Sequence, residues 1–183
     1  MARDLLGRLV VRRLDGVTLA ARLVEVEAYV GEEDLACHAA RGRTPRNELL
    51  YRRPGTLYIY FTYGMHWLAN VVTDREHFPA AVLLRAAEPV KGSATMRERR
   101  PGKRDHELLR GPACLSRALG LDAALNGVMA RGPELWFAAG APVGDAEVRA
   151  TPRIGVDYAG AWKHKPWRLV VAGSPAVSRG RGR

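Results

Sequence analysis

Cysteine is nearly absent from this chain. Cys37 and Cys114 are the only two in 183 residues. They lie far apart with no CxxC spacing, so they build neither a disulfide framework nor a zinc motif. Long apolar runs are missing as well: no stretch approaches the ~20 residues that a membrane span needs. The N-terminus shows no apolar core of a signal peptide. These absences predict a protein outside the membrane, in a reducing compartment. Acidic residues are scarce, 19 Asp and Glu against 29 Lys and Arg, giving +10 at pH 7 and a pI near 10.3. Such an excess favours a polyanionic partner, most commonly nucleic acid. The 47% hydrophobic content excludes wholesale disorder, and the length suits one domain with a sizeable core. No internal repeat and no linker interrupts it. One domain is expected over residues 1–178, followed by a disordered Arg/Gly tail at 179–183.

Along the chain, Ala2 to Leu6 reads as a short helix stopped by Gly7. Leu9 to Leu14 and Val17 to Tyr29 are strand-like and flank Asp15-Gly16, a strong hairpin signal. Val30 to Asn47 loses periodicity and is a long loop, a kind of segment that is usually functional. It carries His38 and a basic cluster, Arg41, Arg43 and Arg46, around Thr44-Pro45. After the Pro54-Gly55 turn, Thr56 to Thr62 reads as an aromatic strand with Tyr58 and Tyr60 on one face. Tyr63-Gly64 interrupts it and His66 to Val72 resumes. Ala80 to Ala86 is an apolar strand holding one charge, Arg85, which calls for a partner. Pro89 to Arg104 is basic and predicts a helix beginning after Glu88-Pro89. A further helix starts at Gly111-Pro112 and ends at Gly120. Leu135 to Ala138, Val148 to Val156 and Arg168 to Ala172 read as later strands. The pattern predicts an α+β fold, a curved and mainly antiparallel sheet with helices around it.

The stretch RLVEVEAYVGEEDLACH, Arg22 to His38, concentrates the chemistry. On an alternating strand Val24, Val26 and Ala28 share one face, and Leu23, Glu25, Glu27 and Tyr29 the other. Two carboxylates beside an aromatic ring suggest a pocket for a planar ligand. Spacing alone does not separate this from a half-exposed strand with solvated glutamates, nor Glu25 from Glu27.

LVEVEAY, TPRN (Thr44 to Asn47), PGTLYIYFTYGMHWLAN (Pro54 to Asn70), LLRAAEP (Leu83 to Pro89) and PRIGVDYAG (Pro152 to Gly160) occur together. With them the chain closely resembles the alkyladenine DNA glycosylases, the 3-methyladenine DNA glycosylases of the non-helix-hairpin-helix type, from about Leu5 to Ser178. The resemblance implies a monofunctional base-excision repair enzyme that cuts the bond between a damaged purine and its deoxyribose. Its lesions would be 3-methyladenine, 7-methylguanine, hypoxanthine and ethenoadenine, and its product an abasic site. It implies Glu27 as the catalytic carboxylate, with Arg85 and the backbone carbonyl of Ile154 holding the water. Tyr29, His38 and Tyr60 would sandwich a flipped base, and Asn70 would discriminate among bases. Tyr63, followed by Gly64-Met65, would fill the gap in the duplex from the tip of a protruding hairpin. Arg43, Thr44, Arg46 and Gly155 would meet the DNA backbone. No lysine stands in a nucleophile position, so Schiff-base chemistry is not implied. Double-stranded DNA is the implied partner, with a monomer, no cofactor, no metal, and a cytoplasmic, nucleoid-associated place (nuclear in a eukaryote).

The residue types suit that chemistry. An enzyme acting on a base inside a duplex must first flip it out. Alkylated purines are cationic, and ring faces attract cations. A carboxylate can take a proton from attacking water and stabilise an oxocarbenium-like sugar, and a neighbouring arginine keeps it ionised. Two other classes compete. A non-catalytic nucleic-acid binder explains the charge and the aromatic strands, but a carboxylate in its pocket would oppose phosphate binding. A nucleobase deaminase would need an H-x-E and P-C-x-x-C zinc pattern, which is missing.

Overall fold

A computed structural model describes residues 1–179 of the chain. Residues 180–183, most of the expected Arg/Gly tail, lie outside the described residues. The fold is α+β, a single compact domain. Its spine is β2 (Val17–Val30), a 14-residue strand. Asp15 and Gly16, both at positive φ, turn the chain from β1 (Leu9–Leu14) into β2, as the Asp-Gly pair predicts.

β2 is paired from Ala20 to Val30 by β5 (Ala80–Lys91). Its first half also pairs with β1, from Val17 to Arg22. Where β1 leaves, β8 (Arg168–Val171) takes the same edge, against Glu25 to Glu27. β3 (Leu57–Thr62) and β4 (His66–Val72) extend the sheet beyond β5, and β6 (Leu135–Ala138) closes it beyond β1, in the order β3-β4-β5-β2-β1-β6. β7 (Val148–Thr151) pairs with β8. All these pairings are antiparallel.

A short helix α1 (Ala2–Leu5) precedes the sheet. α2 (Ser93–Arg99), α3 (Asp105–Leu108) and α4 (Pro112–Leu119) cover it. The apolar stripe of α4, Leu115, Ala118 and Leu119, is fully buried in the main core, where α4 packs on β4 and β5. Each such buried leucine contributes about 1.5–3 kcal/mol relative to exposure, so α4 fixes the back of the sheet and leaves its other side free for the site.

Three expectations change. The strand expected at Ala80 to Ala86 runs on to Lys91, so Pro89 lies in a strand rather than before a helix. The helix starts only at Ser93, after Gly92 turns at positive φ, where a Cβ would collide with the Leu19 side chain. The expected strand Val148 to Val156 stops at Thr151, because Pro152 has no N–H to continue the ladder. The alternation of β2 is also broken. Between Leu23 and Glu25 the register slips by one residue on β2, and between Glu25 and Val26 by one residue on β5. Val24 is the extra residue on the first strand and Arg85 on the second. Leu23 therefore packs in the same apolar cluster as Val24 and Val26 instead of sharing the face of Glu25. Such bulges bend a sheet and re-aim side chains beside active sites.

Candidate active site

A cleft of about 950 Å³ opens on one side of the sheet. Tyr29 reaches it from β2, Tyr60 from β3, Asn70 from β4, Arg85 from β5 and His38 from the long loop. Ile154 and Gly155 enter from the segment after β7, and Tyr63 from the turn between β3 and β4. Residues scattered over more than a hundred positions are thus brought together by the pairing around β2.

The aromatic wall is built from neighbours. The rings of His38 and Tyr60 lie 4.5 Å apart at 66°, and Tyr58 lies 5.4 Å from Tyr60. A hydrogen bond of 2.8 Å joins His38 Nδ1 to the Tyr58 hydroxyl and fixes the imidazole. Burial, then the charge of Arg46, lowers His38 below its ordinary value of 6.5, so the ring is neutral at pH 7. Burial pushes the Tyr58 hydroxyl up to about 12 and that of Tyr60 higher still. Asn70 is buried, and its amide NH₂ donates to the Tyr58 carbonyl at 3.0 Å.

Beneath the wall lie two fully buried carboxylates. Glu27 accepts from the Tyr29 hydroxyl at 2.8 Å, from Arg85 Nη1 at 3.2 Å and from the Ile154 N–H at 2.8 Å. It is the amide of Ile154, rather than its carbonyl, that meets the carboxylate. Glu27 does not itself line the cleft; Tyr29, Arg85 and Ile154 stand between it and the opening. Burial first, and the Glu27 charge second, hold the Tyr29 hydroxyl far above the usual tyrosine range, so it stays a donor. Glu25 accepts from Arg85 Nε, Arg168 Nε and both the amide and hydroxyl of Ser178, all within 2.8 Å. Burial raises Glu25, but the charges of Arg85 and Arg168 and the Ser178 amide outweigh it and hold the group below its ordinary 4.5. A carboxylate has about four lone-pair positions. Glu25 receives four donors, three on Oε1 and one on Oε2, whereas Glu27 receives three, two on Oε2 and one on Oε1. This leaves a position open on Glu27 Oε1 and makes Glu25 the more tightly held of two residues that spacing left equivalent.

The hairpin tip is shaped for display. Tyr63 and Gly64 both have positive φ, the signature of a primed hairpin turn, and the Met65 N–H closes it on the Thr62 carbonyl at 3.2 Å. A tyrosine there is uncommon and strained. Tyr63 is 83% exposed and Met65 67%.

The basic loop divides. Arg46 lines the cleft and donates to the Phe61 carbonyl. Arg43 does not reach it; it pairs with Glu48 at 3.2 Å and lies over the Tyr51 ring. The Thr44 N–H donates to Asn47 Oδ1 at 2.7 Å, and Thr44 is likewise outside the cleft. Gly155, at positive φ, has open space where a Cβ would stand.

Sequence reading missed Asp34 and Arg153. They form a buried two-pronged ion pair, Nη1 donating to Oδ2 at 2.6 Å and Nη2 to Oδ1 at 2.7 Å, and the Arg153 guanidinium lies 4.7 Å over the Tyr29 ring. Arg153 stood in the quoted PRIGVDYAG stretch, but nothing local tied it to Asp34. Arg168 and Ser178 were missed for the same reason. Among the described residues no group of three or more His, Cys, Asp or Glu could hold a metal ion, and no helix is long and apolar enough to cross a membrane.

The family model for methylpurine-DNA glycosylase (MPG) matches residues 1–175. The chain belongs to the methylpurine-DNA glycosylase family. It is 46% identical over 98% of its length to a protein of Methanocella arvoryzae, covering 90% of that protein. It is 48% identical over 98% of its length to one of Myxococcus xanthus, covering 88%, and 43% identical over 99% to one of Chlorobaculum parvum, covering 86%. All three carry the name "Putative 3-methyladenine DNA glycosylase". As a family member the chain is a DNA glycosylase of the methylpurine type, a hydrolase of N-glycosyl bonds whose substrate is DNA.

Proposed function

We propose that this glycosylase flips an alkylated or deaminated purine out of duplex DNA into the aromatic cleft and hydrolyses its N-glycosidic bond with Glu27 as general base. The observation that carries the proposal is the setting of Glu27. It is a buried carboxylate held by Tyr29, Arg85 and the Ile154 amide directly behind the cleft wall, with one lone-pair position still open.

The flipped purine stacks between Tyr29 on one side and His38 and Tyr60 on the other. A base carrying a methyl-induced positive charge gains from these ring faces, and a neutral His38 does not repel it. Asn70, tied to the Tyr58 carbonyl, presents a fixed amide to the purine edge that crowds the exocyclic amino group of guanine, so normal guanine is rejected. In 7-methylguanine the attraction of the cationic ring to the aromatic faces offsets the crowding. As the bond from C1′ to the base lengthens, positive charge grows on the sugar. Water adds its oxygen to C1′ and gives a proton to Glu27, while the electron pair of the broken bond leaves with the purine. A cationic lesion departs neutral, so base catalysis suffices for it; a neutral lesion such as hypoxanthine departs as the purine anion, which takes its proton from solvent.

Tyr63 and Met65 occupy the gap left in the stack, and Arg43, Thr44, Arg46 and Gly155 meet the backbone. The reading covers 3-methyladenine, 7-methylguanine, hypoxanthine and ethenoadenine, with the enzyme acting as a monomer. Release of free base from duplexes carrying each lesion, without added metal, tests it. Binding without release would make the protein a nucleic-acid binder only. Conversion of the base while still attached to its sugar would make it a deaminase.

A further inference from the structure

Arg85 is the extra residue where β5 bulges opposite Glu25 and Val26. Its guanidinium is shared three ways. Nε donates to Glu25 at 2.8 Å, Nη1 to Glu27 at 3.2 Å and Nη2 to the Ser178 hydroxyl at 3.4 Å. Glu25 holds the shorter bond although Glu27 belongs to the proposed chemistry. It is in turn held from the other side by Arg168 Nε at 2.7 Å and by the Ser178 amide at 2.6 Å and hydroxyl at 2.7 Å.

Ser178 belongs to the last described segment, which is latched at successive positions. The Val177 carbonyl accepts from Arg110 Nε, and that of Ser178 from Arg168 Nη2, both at 3.0 Å. Ser178 and Arg179 also line the cleft. The carboxylates Glu25 and Glu27 and the guanidiniums Arg85 and Arg168 cancel in formal charge. Burying four charges costs several kcal/mol per ion and is weak evidence of a stabilising purpose.

We propose that Glu25, clamped by Arg168 and by Ser178 of the C-terminal segment, is a positioning residue that keeps Arg85 from closing on both oxygens of Glu27. A free arginine beside a carboxylate prefers the two-pronged pairing. That pairing would fill the position on Glu27 that must receive the proton. Glu25 holds Nε, Ser178 holds Nη2, and only Nη1 is left for Glu27. The C-terminal segment thereby becomes part of the catalytic apparatus. The inference rests on Glu27 as the base.

Glu27 is faced by Glu25 and Tyr29 from β2, Arg85 from β5, Arg168 from β8, Arg153 from after β7 and Tyr60 from β3. With the charge of Glu25 removed, Arg85 is free to close on both oxygens of Glu27, and the rate falls because the acceptor is covered. A merely structural role for Ser178 would not distinguish threonine, which keeps the hydroxyl, from alanine.

The test is single-turnover excision with Glu25→Gln, Ser178→Ala, Ser178→Thr and Glu27→Gln, alongside affinity for a duplex with a non-hydrolysable abasic analogue. Glu25→Gln is expected to lose on the order of 10²-fold in rate, the scale of a misplaced catalytic group, with unchanged affinity. Ser178→Ala should move in the same direction to a smaller extent, and Ser178→Thr, which keeps the hydroxyl, should restore the rate. If Glu25→Gln does not fold, the Ser178 pair decides in its place. Full rate in Glu25→Gln, or equal rates for Ser178→Ala and Ser178→Thr, overturns the proposal while Glu27→Gln remains inactive. An active Glu27→Gln overturns the underlying assignment instead.

Discussion

The hydroxyl of Tyr29 donates to Oε2 of Glu27 across 2.8 Å, so one residue presents its ring to the cleft and its polar end to the carboxylate behind it. The two lie two positions apart on one strand, and β-strand alternation alone puts them on one side. Removing the donor and keeping the ring separates its two roles. Hydrogen bonds to charged groups are worth about 1.5–3 kcal/mol, and 1.4 kcal/mol is a factor of ten. Tyr29→Phe is expected to lower single-turnover excision about tenfold with lesion affinity retained. Tyr29→Ala should lose affinity as well. Faster excision in Tyr29→Phe would mean that the hydroxyl blocks Glu27 rather than orienting it.

Glu27→Gln keeps the shape of the side chain and removes its proton acceptor. General-base contributions run about 10²–10⁴-fold, so excision should fall by at least that range while duplex binding persists. Quantifying released base from a 7-methylguanine duplex checks it. Retained activity there, combined with an inactive variant at Glu25 that still folds, would transfer the base role to Glu25.

The first four strands were readable because they carry strong local signals: Asp-Gly between apolar runs, the aromatic alternation of Leu57 to Thr62, and the interruption at Tyr63-Gly64. The aromatic members of the cleft came from the resemblance to the glycosylase family rather than from spacing, and Tyr29, His38 and Tyr60 do line one cleft. The electrostatic half of the site was not readable. Glu25 and Glu27 are indistinguishable by alternation, and what separates them is a pair of offset bulges at Val24 and Arg85. Those bulges follow from pairing between strands about sixty residues apart. Arg168 and Ser178 reach Glu25 from more than 140 positions away, which no local pattern encodes. The basic run after β5 reads as uniform charge, yet Arg97 pairs with Asp105 and Arg104 with Glu107. Nearby acids in the same segment neutralise two of its cations.

That neutralisation sharpens the salt dependence. Arg100 and Lys103 line a smaller cleft of about 280 Å³ with His66 and Arg117, at the start of β4. They are better placed for phosphate than Arg97 and Arg104. Each phosphate neutralised contributes about −0.9 to the slope of log K against log salt. Lys103→Glu should flatten the slope by roughly one such increment, and Arg46→Glu likewise from the main cleft. Arg97→Glu should change it less. Equal slopes for all three variants and the parent would make these cations ordinary solvated charges.

His38 gives a pH dependence that differs between lesions. Its value in the folded protein lies below the ordinary 6.5 because burial, and then Arg46, disfavour the charged ring. A lowered folded value means that the stability contributed by the neutral ring is present above 6.5 and is lost as pH falls through the folded value. In the same window a protonated His38 repels a cationic base but not a neutral one. Binding of 7-methylguanine duplexes to the Glu27→Gln protein should therefore weaken below that pH more than binding of hypoxanthine duplexes. His38→Asn should remove the difference. Parallel weakening for both lesions would place His38 outside the stack.

Tyr63 sits at the exposed tip of the β3–β4 turn in a backbone conformation that a tyrosine rarely adopts. Such strain persists only where the surrounding structure or a function requires it. Here the turn holds the ring away from the sheet, beside Met65, rather than against the core. Unstacking a nucleotide costs a few kcal/mol per step, and a ring that enters the vacated space recovers part of that by stacking on the flanking bases. Tyr63→Ala should therefore reduce formation of the flipped complex, with Glu27 and Arg85 undisturbed. The defect should shrink when the lesion is mispaired, because a base already poorly stacked needs less help to leave. Ethenoadenine emission reports unstacking directly, and single-turnover excision on the same duplexes reports its consequence. Tyr63→Phe keeps the ring and should restore both signals. Equal loss of excision on paired and mispaired substrates, with the emission change intact, would remove Tyr63 from the wedge role.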